Sequence, residues 1–345
     1  MNAMLDFFHP MLDLEYIQSL PYITPYTDRR TVLILGGCSG LGWYTVLHLY
    51  LHGYVIYITG RSKSRVLKSI DELRQESINI RSNYTSQELN ERYLGELLYL
   101  ELDLSQLSSV LSAANKLINT ERNLNILINN LSTNFIPYMK TQDGFEIQLQ
   151  LNYISPFLLI IKLLPLLENT TNYYPEIEPP KIIYTSSPSH YFFFSYFSMD
   201  EDFKYKPIFF FNWIRYGKAK ISGIHLIKML SLRNPKILST IVDPGFVMNP
   251  TIFSYFTRLP IIGILFWCLF EIFGYFFGST MEEGSFSVIK NCLDPDLTFD
   301  DNGKIFDTNG KEVKGSRVAN NMDYAARTWI WTINKLNEKN IHIPN

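Results

Sequence analysis

Cysteine is scarce in this 345-residue chain: Cys38, Cys268 and Cys292 are all it has. Their spacing fits neither a metal site nor a redox pair, and a reducing compartment is the default. An excess of charge is missing too. The formal net charge is −2, which removes any bulk electrostatic argument for nucleic acid as a partner. Met1–Pro10 lacks the basic start and apolar run of a signal peptide. No internal repeat or linker divides the chain. The sequons Asn83-Tyr84-Thr85 and Asn169-Thr170-Thr171 are short enough to arise by chance. Apolar matter, by contrast, is plentiful: hydrophobic residues make up 46% of the chain, and 24 Phe and 22 Tyr occur in clusters. That content can supply the full core of one large α/β domain with insertions.

Thr31–Leu35 (TVLIL) is a short apolar run closed by glycines, which predicts a buried strand. Leu41–His52 predicts a mostly apolar helix stopped at Gly53, and Tyr54–Thr59 the next strand. Arg65–Gln75 reads as a helix and Glu76–Glu96 as a polar insertion. Leu97–Leu102, Asn125–Ile128, Lys181–Thr185, Leu238–Val242 and the late Lys304–Asp307 predict further strands with helices between them. Strands alternating with helices imply an α/β fold, a doubly wound parallel sheet covered on both faces. The expected plan is an N-terminal segment 1–30, one α/β domain over 31–320, and a C-terminal helix and tail over 321–345. In the first segment, Pro10–Leu20 can form a helix with Leu12, Tyr16, Ile17 and Leu20 on one face. That face docks on the domain or lies on a lipid surface.

Gly36-x-x-x-Gly40-x-Gly42 follows a strand and opens a helix. Glycines there permit a tight turn, let backbone N–H groups approach a pyrophosphate and leave the helix N-terminus to favour its charge. Glycine-rich loops are common, so the strand–turn–helix context carries the weight. A dinucleotide lacking the 2′-phosphate is usually held by a carboxylate about 20 residues further on. Here no Asp or Glu occurs between Asp28 and Asp71; Arg61, Lys63 and Arg65 fill the window. Such cations suit a 2′-phosphate, with Arg61 offering a planar fork, so NADP(H) is expected rather than NAD(H). Lys63 and Arg65 read better as solvated helix-entry charges. Asp103, after the third strand, can accept from an adenine amino group or cap the helix beyond Ser105. Asn129-Asn130 ends the fourth strand, where Asn also serves ordinary turns.

Tyr216 and Lys220 are four apart and share a helix face. A phenol is a poor base at neutral pH, and a neighbouring ammonium lowers its pKa. With 22 Tyr in the chain, one such pair arises by chance, so its place in the series matters more than the pair. Ser187, at a strand end, can donate to an oxygen on which charge develops. Asn152 can hold a proton-relaying water toward Lys220 or be an ordinary polar helix residue. Taken in order, these motifs resemble the short-chain dehydrogenase/reductase family over roughly residues 31–307. The resemblance implies a Rossmann-type sheet, Tyr216 as proton donor and acceptor, Lys220 as its pKa modulator, Ser187 as substrate orienter and Asn152 as the fourth member. It implies cofactor contacts from Gly36, Ser39, Gly40, Leu41, Gly42, Arg61, Asp103, Leu104, Asn129, Tyr216 and Lys220. Pro244, Gly245 and Val247 match the stretch that flanks the nicotinamide.

A closer resemblance, to the retinol-dehydrogenase-like branch and a fungal group tied to lipid droplets and the vacuole, rests on Gly42–Gly53, Gly144–Gln150, Phe253–Pro260 and Thr328–Thr332. It implies oxidation or reduction of a CH–OH or carbonyl group on a lipid-like substrate (retinoid, sterol or fatty aldehyde). The place implied is the cytoplasmic face of lipid droplets or endomembranes, with a second copy of the chain as a candidate partner. Three departures stand against the family pattern: Leu35 where Thr is usual, Leu131-Ser132 where Ala-Gly is usual, and a long 29-position step from Ser187 to Tyr216. Serine for glycine at 132 is expected to forbid a left-handed turn. An alternative follows from the first two departures: a catalytically weakened cofactor-binding protein with a structural or regulatory role at lipid droplets or the vacuole. Finally, Leu259–Gly278 is a 20-residue apolar segment with one charge, Glu271. Its length suits a membrane span, but Glu271, Pro260, Gly263 and Gly274 oppose one, and the late strand must return to the sheet. The segment 251–278 is expected to be a substrate lid that dips into one leaflet or packs inside the protein.

Overall fold

The computed structural model of the chain describes residues 13–134, 136–173, 178–192, 196–205, 208–247 and 278–343, with the isolated positions 268, 272 and 274. Most of the predicted lid lies outside the described residues. Eight strands form one sheet: β1 Thr31–Leu35, β2 Val55–Gly60, β3 Glu96–Glu101, β4 Ile126–Asn129, β5 Lys181–Thr185, β6 Leu238–Val242, β7 Ile305–Phe306 and β8 Glu312–Val313. Their order is β3-β2-β1-β4-β5-β6-β7-β8, with all pairs parallel except β7–β8. The first six strands follow the doubly wound order in which the chain reverses direction between β1 and β4. The late strand takes the position expected of it, pairing Ile241 with Ile305 and Val242 with Phe306.

The strands read as continuous apolar runs because both faces are covered. Successive side chains alternate faces. Leu33, Leu35 and Leu127 therefore join one core layer, while Val32, Ile34, Ile126 and Ile128 join the other. Among the described residues the longer helices are α1 Leu14–Ser19, α2 Gly40–Leu51, α3 Lys63–Arg81, α4 Ser86–Glu91, α5 Leu107–Thr120, α6 Ser155–Tyr173, α7 Ile208–Arg233, α8 Met281–Leu293 and α9 Met322–Asn337. A one-turn helix, Ile147–Leu149, and a π-helical stretch, Gln150–Ile154, lead into α6.

Two expectations change. α3 does not stop at Gln75: it runs to Arg81 and takes in the start of the polar insertion, burying Val66, Ile70, Leu73 and Ser77 along one stripe. The charged residues between them face water, which disguised the helix as an insertion. Asp103 does not cap the helix after Ser105. Gln106 occupies that position, and Asp103 Oδ1 instead accepts from the Ser105 N–H and hydroxyl at 2.9 and 2.7 Å.

In α1, Asp13 caps the start and Ile17 is fully buried. Tyr16 donates to Asp294 at 2.9 Å, and Leu20 and Ile23 enter the same core layer, so this face meets the domain. Residues before Asp13 lie outside the described residues. The helical run Ile147–Asn172 is long and apolar enough to cross a membrane, but 78% of that window is buried in the protein, as in a core helix. Buried Lys181 ties the start of β5 to the end of α8, donating to the carbonyls of Cys292 and Asp294 at 2.9 and 3.3 Å. A cation at a helix C-terminus opposes the negative end of its dipole.

Candidate active site

The C-terminal ends of β1, β4, β5 and β6 open into a cleft of 330 Å³ at the reversal between β1 and β4. Gly36, Ser39, Gly40 and Leu41 line one side; Ser187, Tyr216, Pro244, Gly245 and Val247 line the other. The glycine loop is built for close approach. Gly36 and Gly40 have φ of +79° and +59°, the left-handed region that favours glycine. A Cβ on Gly42 would sit 2.0 Å from the Gly36 carbonyl oxygen. Ser39 occupies the N-cap of α2, yet its side chain makes no capping hydrogen bond. The first N–H groups of the helix thus remain donors for an anion in the cleft. Asn130 holds the loop from below: its Oδ1 accepts from Thr185 Oγ1 at 3.1 Å and its Nδ2 reaches the Gly36 carbonyl at 3.5 Å.

Tyr216 and Lys220 rise from one face of α7, and both are buried. The Tyr216 hydroxyl lies 2.5 Å from Ser132 Oγ. Burial raises the pKa of this phenol, while hydrogen bonds from the Ser132 and Ser187 hydroxyls pull it back down. Lys220 Nζ donates to the carbonyls of Leu131 at 2.9 Å and Thr185 at 2.8 Å. Burial depresses its pKa to about 7, with the Asp243 carboxylate opposing. Burial is thus the largest influence on the Tyr216 phenol and the serine hydroxyls act against it, while Lys220 Nζ lies over the Tyr216 ring, 5.7 Å from its centre, and donates to two carbonyls.

Asn152 sits in the π-helical stretch, a distortion often found at functional sites. Its side chain is spoken for. Oδ1 accepts from Thr133 N at 2.8 Å, and Nδ2 donates to the carbonyls of Thr133 and Gln148, each at 2.8 Å. Asn152 pins the turn after β4 rather than offering its amide to a water. The left-handed turn feared at Ser132 is not used; Ser132 has no positive φ. Leu131 packs on the core and lends its carbonyl to Lys220, so the altered turn has its own role.

Arg61, Asp103 and Leu104 follow β2 and β3, whose ends are neighbours through the Gly60–Glu101 pairing. They stand along the sheet edge beyond the cleft lining. Arg61, Lys63 and Arg65 are exposed and form no ion pair among the described residues. Leu104 is buried, and its carbonyl accepts from Ser155 Oγ at 2.6 Å. Asn129 is buried, and its amide nitrogen and oxygen have no partner among the described residues; Ser186 Oγ is likewise unpartnered.

No family model matches the chain. Curated relatives do, over nearly its whole length. A short-chain dehydrogenase/reductase of Aspergillus calidoustus is 26% identical, covering 94% of this chain and 98% of the relative. Human polyprenol dehydrogenase is 26% identical over 90% of this chain and 85% of its own length. Human retinol dehydrogenase 14 is 29% identical over 78% and 75%. Its relatives are thus short-chain dehydrogenases/reductases along most of the chain. Its fold recurs in an uncharacterized protein of Mycobacterium paratuberculosis, at a TM-score of 0.63 with 19% identity over 95% of this chain and 98% of that one. The Pseudomonas aeruginosa RhlG/NADP complex gives a TM-score of 0.55 with 20% identity over 84% and 98%.

In this chain the structure adds residues that sequence reasoning passed over. Ser132 stood out only as a departure from the usual turn. Asp243 precedes Pro244-Gly245 and accepts from Gly245 N–H at 3.1 Å. His190 lies beneath Ser187, with Nδ1 donating to the Ser187 carbonyl at 2.7 Å and standing 3.9 Å from Asp243. The only prior signal was position: a histidine three residues after the strand-end serine, and an aspartate at the next strand end.

Proposed function

We propose that the chain is an NADP(H)-dependent oxidoreductase acting on the CH–OH or carbonyl group of a lipid-like substrate. The observation that carries this reading is the convergence of Tyr216, Ser187 and the Gly36–Gly42 loop on one cleft. The loop suits a dinucleotide, because the left-handed glycines and the uncapped start of α2 leave room and N–H donors for a pyrophosphate. Ser39, Gly40, Leu41 and Gly42 would hold that group, Asn129, Asp103 and Leu104 the adenosine side, and Pro244, Gly245 and Val247 the nicotinamide side. Arg61 would meet the 2′-phosphate. When bound, the cofactor supplies or accepts the hydride.

In reduction, Ser187 orients the substrate oxygen and Tyr216 gives that oxygen its proton. In oxidation, the Tyr216 phenolate takes the proton from the alcohol. Burial keeps the phenol protonated at neutral pH, so Tyr216 is ready as a donor for reduction, and oxidation gains as pH rises. Arg61→Ala is expected to raise the KM for NADPH roughly tenfold, the worth of one charge-assisted hydrogen bond, and to leave NADH unchanged. An equal effect on both cofactors would remove Arg61 from the 2′-phosphate site.

A lipid-like substrate is supported by the names of the polyprenol and retinol dehydrogenase relatives and by the apolar segment 251–278. The residues flanking that segment, Val247 and Ser279, pair with each other beside the cleft. The reading keeps 251–278 as the segment that meets a lipid droplet or endomembrane on its cytoplasmic side. Carbonate extraction from cell membranes is expected to release the chain in full; retention would mean a true span. Of the departures behind the weakened-enzyme alternative, Ser132 sits in its turn without a left-handed φ, and Leu35 keeps that alternative as the second reading. The vacuole and a homodimer remain parts of the proposal that derive from resemblance alone.

A further inference from the structure

The Tyr216 phenol has a neighbour the reaction scheme above leaves unused. Ser132 faces the open cleft, and its Oγ lies 2.5 Å from the buried Tyr216 oxygen. The turn that carries Ser132 is clamped on both sides. The Leu131 carbonyl before it accepts from Lys220, and the Thr133 backbone after it is held at both N–H and carbonyl by Asn152. A hydroxyl presented on so constrained a backbone has little freedom to leave its partner.

The clamp also sets which groups can hydrogen-bond to the phenol oxygen. Lys220 Nζ stands 5.7 Å from the centre of the Tyr216 ring and spends hydrogen bonds on two carbonyls. Tyr184 on β5 is buried and neutral, and Asp243 beyond β6 is an acid, with His190 next to it. Among the described residues, the hydroxyls of Ser187 and Ser132 are the groups that hydrogen-bond to the phenol oxygen.

We propose that Ser132 is a positioning residue for Tyr216, whose hydroxyl donates to the tyrosine oxygen and shares with Ser187 the stabilisation of the phenolate. A hydrogen bond to a charged group is stronger than one to its neutral form, so the contact favours ionised tyrosine. The usual glycine at this turn carries no side chain, so serine at 132 adds a hydrogen bond there. This inference rests on Tyr216 being the proton donor.

The test replaces Tyr216 with 3,5-difluorotyrosine in the full chain, which brings the phenol titration into an accessible range, and follows it by 19F NMR. Ser132→Ala and Ser132→Gly are each expected to raise the titration midpoint by about one pH unit, the scale of one lost hydrogen bond to a charged group. Ser132→Thr keeps the hydroxyl and is expected to leave the midpoint where it is. Midpoints that coincide across all four proteins would overturn the inference. The titration needs no substrate and no turnover. An unmoved midpoint therefore sinks the role of Ser132 alone, whereas undiminished turnover in Tyr216→Phe would sink the proposed chemistry and leave the titration intact.

Discussion

Lys220 sits where water does not reach, and that placement has a cost with a sign. Its folded pKa, about 7, lies below the ordinary lysine value near 10.4. Between these values the unfolded chain holds a proton that the folded chain has released. Stability therefore rises with pH across that window, and below it the penalty is constant. Lys220→Met removes the titration. The stability of the wild type relative to this variant is expected to climb by up to ~1.4 kcal/mol per pH unit between pH 7 and 10, measured by urea unfolding. A difference that stays flat with pH would show that Lys220 is charged in the folded protein, and would restore it as an ammonium partner for Tyr216. The lysine's position was readable from the i, i+4 spacing. Its hydrogen bonds were not, because their carbonyls belong to residues 89 and 35 positions away.

At the scale of elements, the strands were legible and the turns between them less so. A strand buried on both faces is mostly apolar, and the apolar runs within TVLIL, KIIYT and LSTIV state that locally. The end of α3 was hidden because its buried stripe includes Ser69 and Ser77, which composition alone counts as polar. The turn after β4 was hidden for a different reason. Its shape is dictated by Asn152, on a π-helical stretch 19 positions away, so nothing in Leu131-Ser132-Thr133 announces it. The glycine loop is the opposite case, since its constraint is local. Gly42→Ala would press a Cβ against the Gly36 carbonyl. We expect the variant to fold with a loss of roughly 1–3 kcal/mol and to bind NADPH at least tenfold more weakly by fluorescence titration. Wild-type binding in this variant would mean that the loop is not the nucleotide cradle.

Over the whole molecule, the strand order does the assembling. Residues from 36 to 247 reach one cleft because β1, β4, β5 and β6 are neighbours that all end on the same side. The apolar run Ile147–Asn172 serves as core beneath that sheet, and α1 closes the opposite layer. What the architecture offers as chemistry converges on one oxygen, the Tyr216 hydroxyl. The most direct test is turnover of the purified chain with NADPH against a panel of retinoid, polyprenyl, sterol and fatty carbonyl compounds, with Tyr216→Phe run beside it. The account predicts NADPH-dependent reduction in the wild type and a fall of about 10²–10⁴-fold in the variant, the worth of a lost general acid. Equal turnover in the two proteins would contradict it.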